Sequence, residues 1–226
     1  DPSFEDLISM GYLPEAVVNY VALLGWSPGT NQEIFSLEEL VEAFDIEGIN
    51  KAPAVFDINK LSWMNGEYIR KLPLEEFHKL AVPYYKSSIQ NENVDLYKIS
   101  KILQVRTEVL TSIPEKVQFF NSLPEYDISL YIHKKMKTDL DISYTSLKAA
   151  LEVLENLDNW NEQTLHDTLI GLANKLGIKN SQLLWPVRIA ISGLEVTPGG
   201  AIEIADILGK EETIKRIKIG LEKLAK

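Results

Sequence analysis

The stretch LWPVRIAISGLEVTPGGAIEIADILG, residues 184–209, decides how this chain is read. Its first half, from Leu184 through Arg188 to Ala190, reads as helix. A short connection over 193–198 follows, and Ile204, Ile207 and Leu208 repeat at helical spacing until Gly209 stops them. Thr197 suits an N-cap, and Pro198 suits the first helical position, where a missing N–H costs nothing. On this reading the backbone N–H groups after Pro198 lack an intrahelical partner and can donate to an outside acceptor. An arginine, Arg188, beside such a helix start is a place to bind an anion or read a base edge. The plainer alternative is a well-capped helix next to an arginine with a buried stem and a solvated head.

Helical signals continue in both directions. Pro14 opens a run with Ala16, Val17, Tyr20, Val21 and Leu24 inward, stopped by Gly25. Ser36 with Glu39 forms a capping box ahead of Leu37, Leu40, Val41 and Phe44. Asp57 caps a helix with Leu61, Met64, Tyr68 and Ile69 inward. Asn65-Gly66 is read as part of that helix despite a glycine cost of about 1 kcal/mol. Leu96, Ile99 and Leu103 repeat in the same way, as do Leu147 to Leu154, Leu165 to Leu176 before Gly177, and Ile214, Ile217, Leu221 and Leu224. Only Ile128 to Ile132 alternates, and weakly. The expected fold class is all-α, with breaks at 71–95, 121–142 and 193–198.

Composition bounds the chemistry. The 226 residues include no cysteine, which excludes disulfides and thiolate sites. No apolar run is long enough to cross a membrane. The chain begins at Asp1 without methionine, so it is expected to be a piece of a longer protein. The net charge of −10 speaks against an anionic partner, but the distribution is uneven. Residues 1–90 carry six basic against fourteen acidic side chains, whereas residues 173–226 carry nine against six.

Catalytic signals are missing. His78, His133 and His166 lie far apart, so no metal site is expected. There is no Gly-rich phosphate loop and no nucleophile elbow. Adjacent carboxylates such as Glu38-Glu39 and Glu211-Glu212 do not face one another on a helix. Binding remains. Trp26, Trp63, Trp160 and Trp185 are packing residues or, less simply, stacking platforms for unpaired bases. Arg106 is a helix-end dipole partner or a second base reader.

The runs GYLPEAVVNYVALLGWSP (11–28), EIFSLEELVEAFDI (33–46), APAVFDINKLSWMNGEYIR (52–70), WPVRIAISGLEVTPGG (185–200) and ADILGKEETIKRI (205–217) resemble bacterial-type glutamyl-tRNA synthetase. The resemblance implies a class I aminoacyl-tRNA synthetase that attaches glutamate to tRNA(Glu) with ATP and Mg. It places the first three runs immediately after the catalytic domain. Neither of the family's two ATP-handling signatures occurs here, so this piece is expected to be non-catalytic and to partner the upstream catalytic domain of the same parent chain. The implied organisation is a stem-contact-like helical region over 1–70 and two helical bundles of the anticodon-binding domain, over 71–118 and 119–226. The implied anticodon-binding residues are Arg106, Arg188, Thr197, Pro198 and Gly199, and Gly200 lacks the large apolar side chain that some members place there. The implied parent is a cytoplasmic monomer engaged in translation. The competing reading is a helical protein–protein scaffold without RNA function.

Overall fold

The computed structural model describes residues 1–52 and 54–225. Among them are twelve α-helices: α1 (Phe4–Ser9), α2 (Pro14–Gly25), α3 (Leu37–Ala43), α4 (Ile58–Lys71), α5 (Leu74–Ser88), α6 (Leu96–Leu103), α7 (Ile113–Asn121), α8 (Leu140–Glu155), α9 (Glu162–Leu176), α10 (Asn180–Ser192), α11 (Ala201–Leu208) and α12 (Lys210–Leu224). No sheet forms among the described residues; Trp26 with Ile49 and His133 with Thr138 make isolated bridges. The all-α expectation is met. The weakly alternating segment is a short 3₁₀ turn over Ile128–Tyr131. No helix of the described residues is long and apolar enough to cross a membrane.

Two compact units are present. The first comprises 1–85 and 103–114, the second 86–102 and 115–226. The role-based segment 71–118 is therefore divided between both units, because compactness follows packing partners rather than chain order.

In the first unit, α2 packs on α4 around Leu7, Tyr12, Val17, Tyr20, Leu61 and Met64. Burying each such side chain contributes roughly 1.5–3 kcal/mol. Two buried amides organise the loops around this core. Asn65 Oδ1 accepts from Leu13 N at 2.8 Å, and its Nδ2 donates to Glu108 O at 2.6 Å. This explains an Asn-Gly pair inside a helix: the asparagine is a buried bracket rather than a turn residue. Asn19 Oδ1 accepts from Phe35 N at 2.7 Å, and its Nδ2 donates to Glu33 O at 3.0 Å. Asn19 therefore points inward, and Val21, expected in the core, is exposed. Tyr68 Oη donates to Asn19 Oδ1 at 2.8 Å, and burial pushes its phenol pKa up to about 12.

In the second unit α10 is central, touching α8, α9, α11 and α12. Seven of its residues are buried, Pro186 among them. Proline removes the bond to the carbonyl four residues back; the freed Gln182 O instead accepts from Ser146 Oγ at 3.0 Å.

The last helix departs from the expected stripe. α12 buries Thr213, Arg216, Ile217 and Gly220, while Ile214, Leu221 and Leu224 are half-buried. A Cβ on Gly220 would stand 2.6 Å from Tyr131 Oη and 3.2 Å from Ala190 Cβ, so only glycine permits this approach. Arg216 is 1% exposed. Its Nη1 donates to Phe119 O at 2.8 Å and Ile191 O at 2.7 Å, and its Nε donates to Glu212 Oε1 at 2.9 Å. Both carbonyls belong to last helical turns, where backbone acceptors lack intrahelical partners. Arg216→Met is expected to lower the unfolding free energy by about 3 kcal/mol, because two buried carbonyls and Glu212 lose their partner. Urea denaturation followed by circular dichroism measures it, and an unchanged midpoint would show that Arg216 carries no such weight.

Candidate nucleic-acid interface

The connection from α10 to α11 is built by Arg188. Gly193 ends α10 in the left-handed region, and Ser192 Oγ donates back to Arg188 O at 2.6 Å. The Arg188 side chain then gathers the loop. Its Nη1 donates to Leu194 O at 3.2 Å and Thr197 Oγ1 at 2.8 Å, and its Nη2 donates to Glu195 O at 2.5 Å. The guanidinium carbon lies 4.6 Å from the centre of the Trp185 ring. Burial pushes the Arg188 pKa down, and the Glu195 charge partly opposes this. Arg188 is thus half-buried with three donors committed to its own loop. It retains Nε–H and one Nη2–H for an outside acceptor, an arginine carrying five donors in all.

Thr197 is not the N-cap of the next helix, and Pro198 is not its first residue. α11 begins at Ala201 with Gly200 as its N-cap. The reason is local chemistry. The Thr197 hydroxyl accepts from Arg188 and donates to Gly199 O at 2.8 Å, so it is occupied three residues too early. Gly199 then turns the chain at φ +100°, where a side chain is strained. Glu203 folds back, its Oε1 accepting from Gly200 N at 3.3 Å. The helix start therefore already holds a carboxylate on its cap amide, and its first-turn amides begin at Ala201 rather than directly after Pro198. Pro198 is buried; Thr197 and Gly199 are half-buried, and Val196 projects into solvent.

Neighbouring side chains in the same unit complete the surroundings. Lys98 and Lys101 on α6 and Glu203 and Asp206 on α11 line one small cavity. Lys98 Nζ pairs with Asp206 Oδ1 at 2.9 Å, leaving one cation and one anion locally neutralised. Sequence reading missed these lysines, because a Lys every third residue on α6 is equally a solvated face.

Arg106 lies in the first unit. It closes the 3₁₀ turn Gln104–Arg106, and its side chain is exposed. The turn is fixed by Gln104 Nε2, which donates to Ile69 O at 2.9 Å and Leu72 O at 2.8 Å at the end of α4. Buried Thr107 donates its hydroxyl to Leu103 O at 2.8 Å. Arg106 therefore stands on a rigid base.

Three of the four tryptophans are packing residues. The indole N–H of Trp26 donates to Asp45 O, that of Trp160 to Ala205 O and that of Trp185 to Leu130 O. Trp63 is the most exposed, at 40%. Among the described residues no group of three or more His, Asp or Glu side chains could hold a metal ion.

Residues 76–221 match the family model described as an anticodon binding domain. The chain belongs to this family. Residues 4–63 match the catalytic-domain model of class I tRNA synthetases (E and Q), so the segment expected to lie just after the catalytic domain falls within that model. The chain is 61% identical over 99% of its length to the glutamate–tRNA ligase of Clostridium tetani, covering 46% of that protein. It is 58% identical over its whole length to that of Clostridium acetobutylicum, covering 47%. It thus spans about half the length of the curated relatives it matches. The crystal structure of a glutamate tRNA ligase from Elizabethkingia meningosepticum superimposes with a TM-score of 0.80 at 28% identity, over 95% of this chain and 42% of that one.

Arg188→Ala is expected to release the loop of this anticodon-binding family member. Amide exchange over 194–200 should quicken at least tenfold and stability should fall by about 1–3 kcal/mol. Mass-spectrometric hydrogen exchange reads the first effect, and unaltered exchange would remove Arg188 as the loop's organiser.

Proposed function

We propose that this chain is the tRNA-binding, anticodon-recognising part of a glutamate–tRNA ligase. The parent would be a class I aminoacyl-tRNA synthetase acting as a monomer in the cytoplasm, joining glutamate to tRNA(Glu). ATP and Mg would be handled by the catalytic portion of the parent. The observation that carries the reading is the loop 194–200, shaped by Arg188 and Glu203 within the segment matched by the anticodon-binding model.

Arg106, Arg188, Thr197, Pro198 and Gly199 are the proposed anticodon contacts, with different work. Arg106 stands exposed on a fixed turn and supplies a planar donor fork to a base edge. Arg188 acts mostly through the loop it holds, presenting Thr197 and Gly199 at a fixed height, with its remaining donors toward the ligand. Pro198 anchors the loop from below. Unstacked bases in a single-stranded loop are accessible to such groups.

Fluorescence titration with an anticodon stem-loop tests this. Arg106→Ala should cost about 1–3 kcal/mol against the matching anticodon and relax preference at one base. Arg188→Ala should weaken all anticodon variants alike, because it loosens a loop rather than deleting one base contact. Binding must also weaken as salt rises. A chain that forms no salt-sensitive RNA complex would overturn the reading and favour a protein scaffold.

A further inference from the structure

Part of the apolar face of α3 stays exposed. Its capping box fixes the helix start: Ser36 Oγ accepts from Glu39 N at 3.1 Å, and Glu39 Oε1 accepts from Ser36 N at 3.2 Å. Leu40 turns inward against Trp26 and Phe35. Leu37, Val41 and Phe44, spaced four and three apart, flank Leu40 on the same side of the helix and keep 64%, 72% and 54% exposure, Phe44 also leaning on the Trp26 ring at 6.0 Å between centroids. Ile46 extends the surface just beyond the helix, at 76%. Isolated exposed apolar residues need no explanation, but a contiguous helix face of them marks an interface.

The surroundings restrict the occupant. Glu38, Glu42, Asp45 and Glu47 are exposed around this face, and no lysine or arginine occurs between residues 33 and 50. Such a rim repels a phosphate backbone. The face lies inside residues 4–63, which match the class I catalytic-domain model, while the chain accounts for only 46% of the length of its relatives. We propose that the Leu37–Val41–Phe44 face is the docking surface for the remainder of the catalytic domain on the same parent polypeptide. It meets an apolar patch with basic neighbours, and so couples the tRNA-binding part to the catalytic part. This rests on the proposed membership of a longer ligase.

Hydrogen exchange of this chain and of the full-length parent, at equal concentration and without RNA, tests it. Amides over 37–47 should exchange at least tenfold more slowly in the parent. Val41→Lys keeps a good helix former at an exposed position, between Glu38 and Asp45. It should leave the melting curve of this chain and its anticodon stem-loop binding unchanged, and abolish the extra protection in the parent. Equal exchange in both wild-type proteins overturns the docking surface. Protection that appears only with added tRNA assigns the face to RNA, and protection that grows with concentration of this chain alone assigns it to a second copy; either also overturns it. Stem-loop binding by the same samples separates the two readings: binding without protection in the parent sinks the docking surface alone, whereas protection without binding sinks the anticodon reading alone.

Discussion

A buried guanidinium fixes the end of the helix from which the candidate site departs. Arg216 cannot lose its charge, and burial pushes its pKa down only partway against Glu212, which supplies a hydrogen bond and an opposite charge. A charge taken out of water must be paired and hydrogen-bonded to be tolerated. Here its partners are the orphan carbonyls at the ends of α7 and α10, residues that would otherwise bury unsatisfied acceptors. One side chain thereby satisfies two helix termini and holds α12 against α10, with Gly220 permitting the contact one turn later. The face that α12 buries follows from this polar requirement more than from its isoleucines.

From that fixed end the chain leaves α10, and a second arginine takes over. Arg188 sits one turn before Ser192 and turns outward to collect the acceptors of the departing loop. The division of work is physical. Arg216 is fully enclosed and settles the position of a helix end; Arg188 is half-enclosed and settles the shape of a loop while keeping an edge toward solvent. A loop whose hydrogen bonds are made before a ligand arrives loses less entropy on binding than a mobile one.

Local signals were legible in the sequence and distant ones were not. The Ser36–Glu39 box and the Asp57 cap were readable, because both partners lie within four residues. Helix type and order followed from periodicity. The inward asparagines, Asn19 and Asn65, were hidden because their acceptors and donors come from segments brought close only by folding. Arg216 was hidden for the same reason, its Phe119 partner lying 97 residues away. Thr197 misled because a threonine followed by proline is a good helix start in isolation, and the competing claim of Arg188 on its hydroxyl is a tertiary fact. The exposure of Leu37 and Val41 on α3 was not legible, because periodicity reports that a face is apolar, not which body covers it.

The charge pattern fits a protein that meets nucleic acid at few points. With a net charge of −10, the chain as a whole offers RNA little long-range attraction, the local excess of basic side chains over 173–226 being small. Even beside the loop, Lys98 is neutralised by Asp206, and Glu203 occupies the start of α11. The Glu203 charge at that start opposes a phosphate. A base edge is uncharged and is recognised by placed donors and acceptors rather than by field strength. On the proposed function, a carboxylate at the helix start together with hydroxyl and guanidinium groups fixed around a tight turn would favour base edges over phosphates.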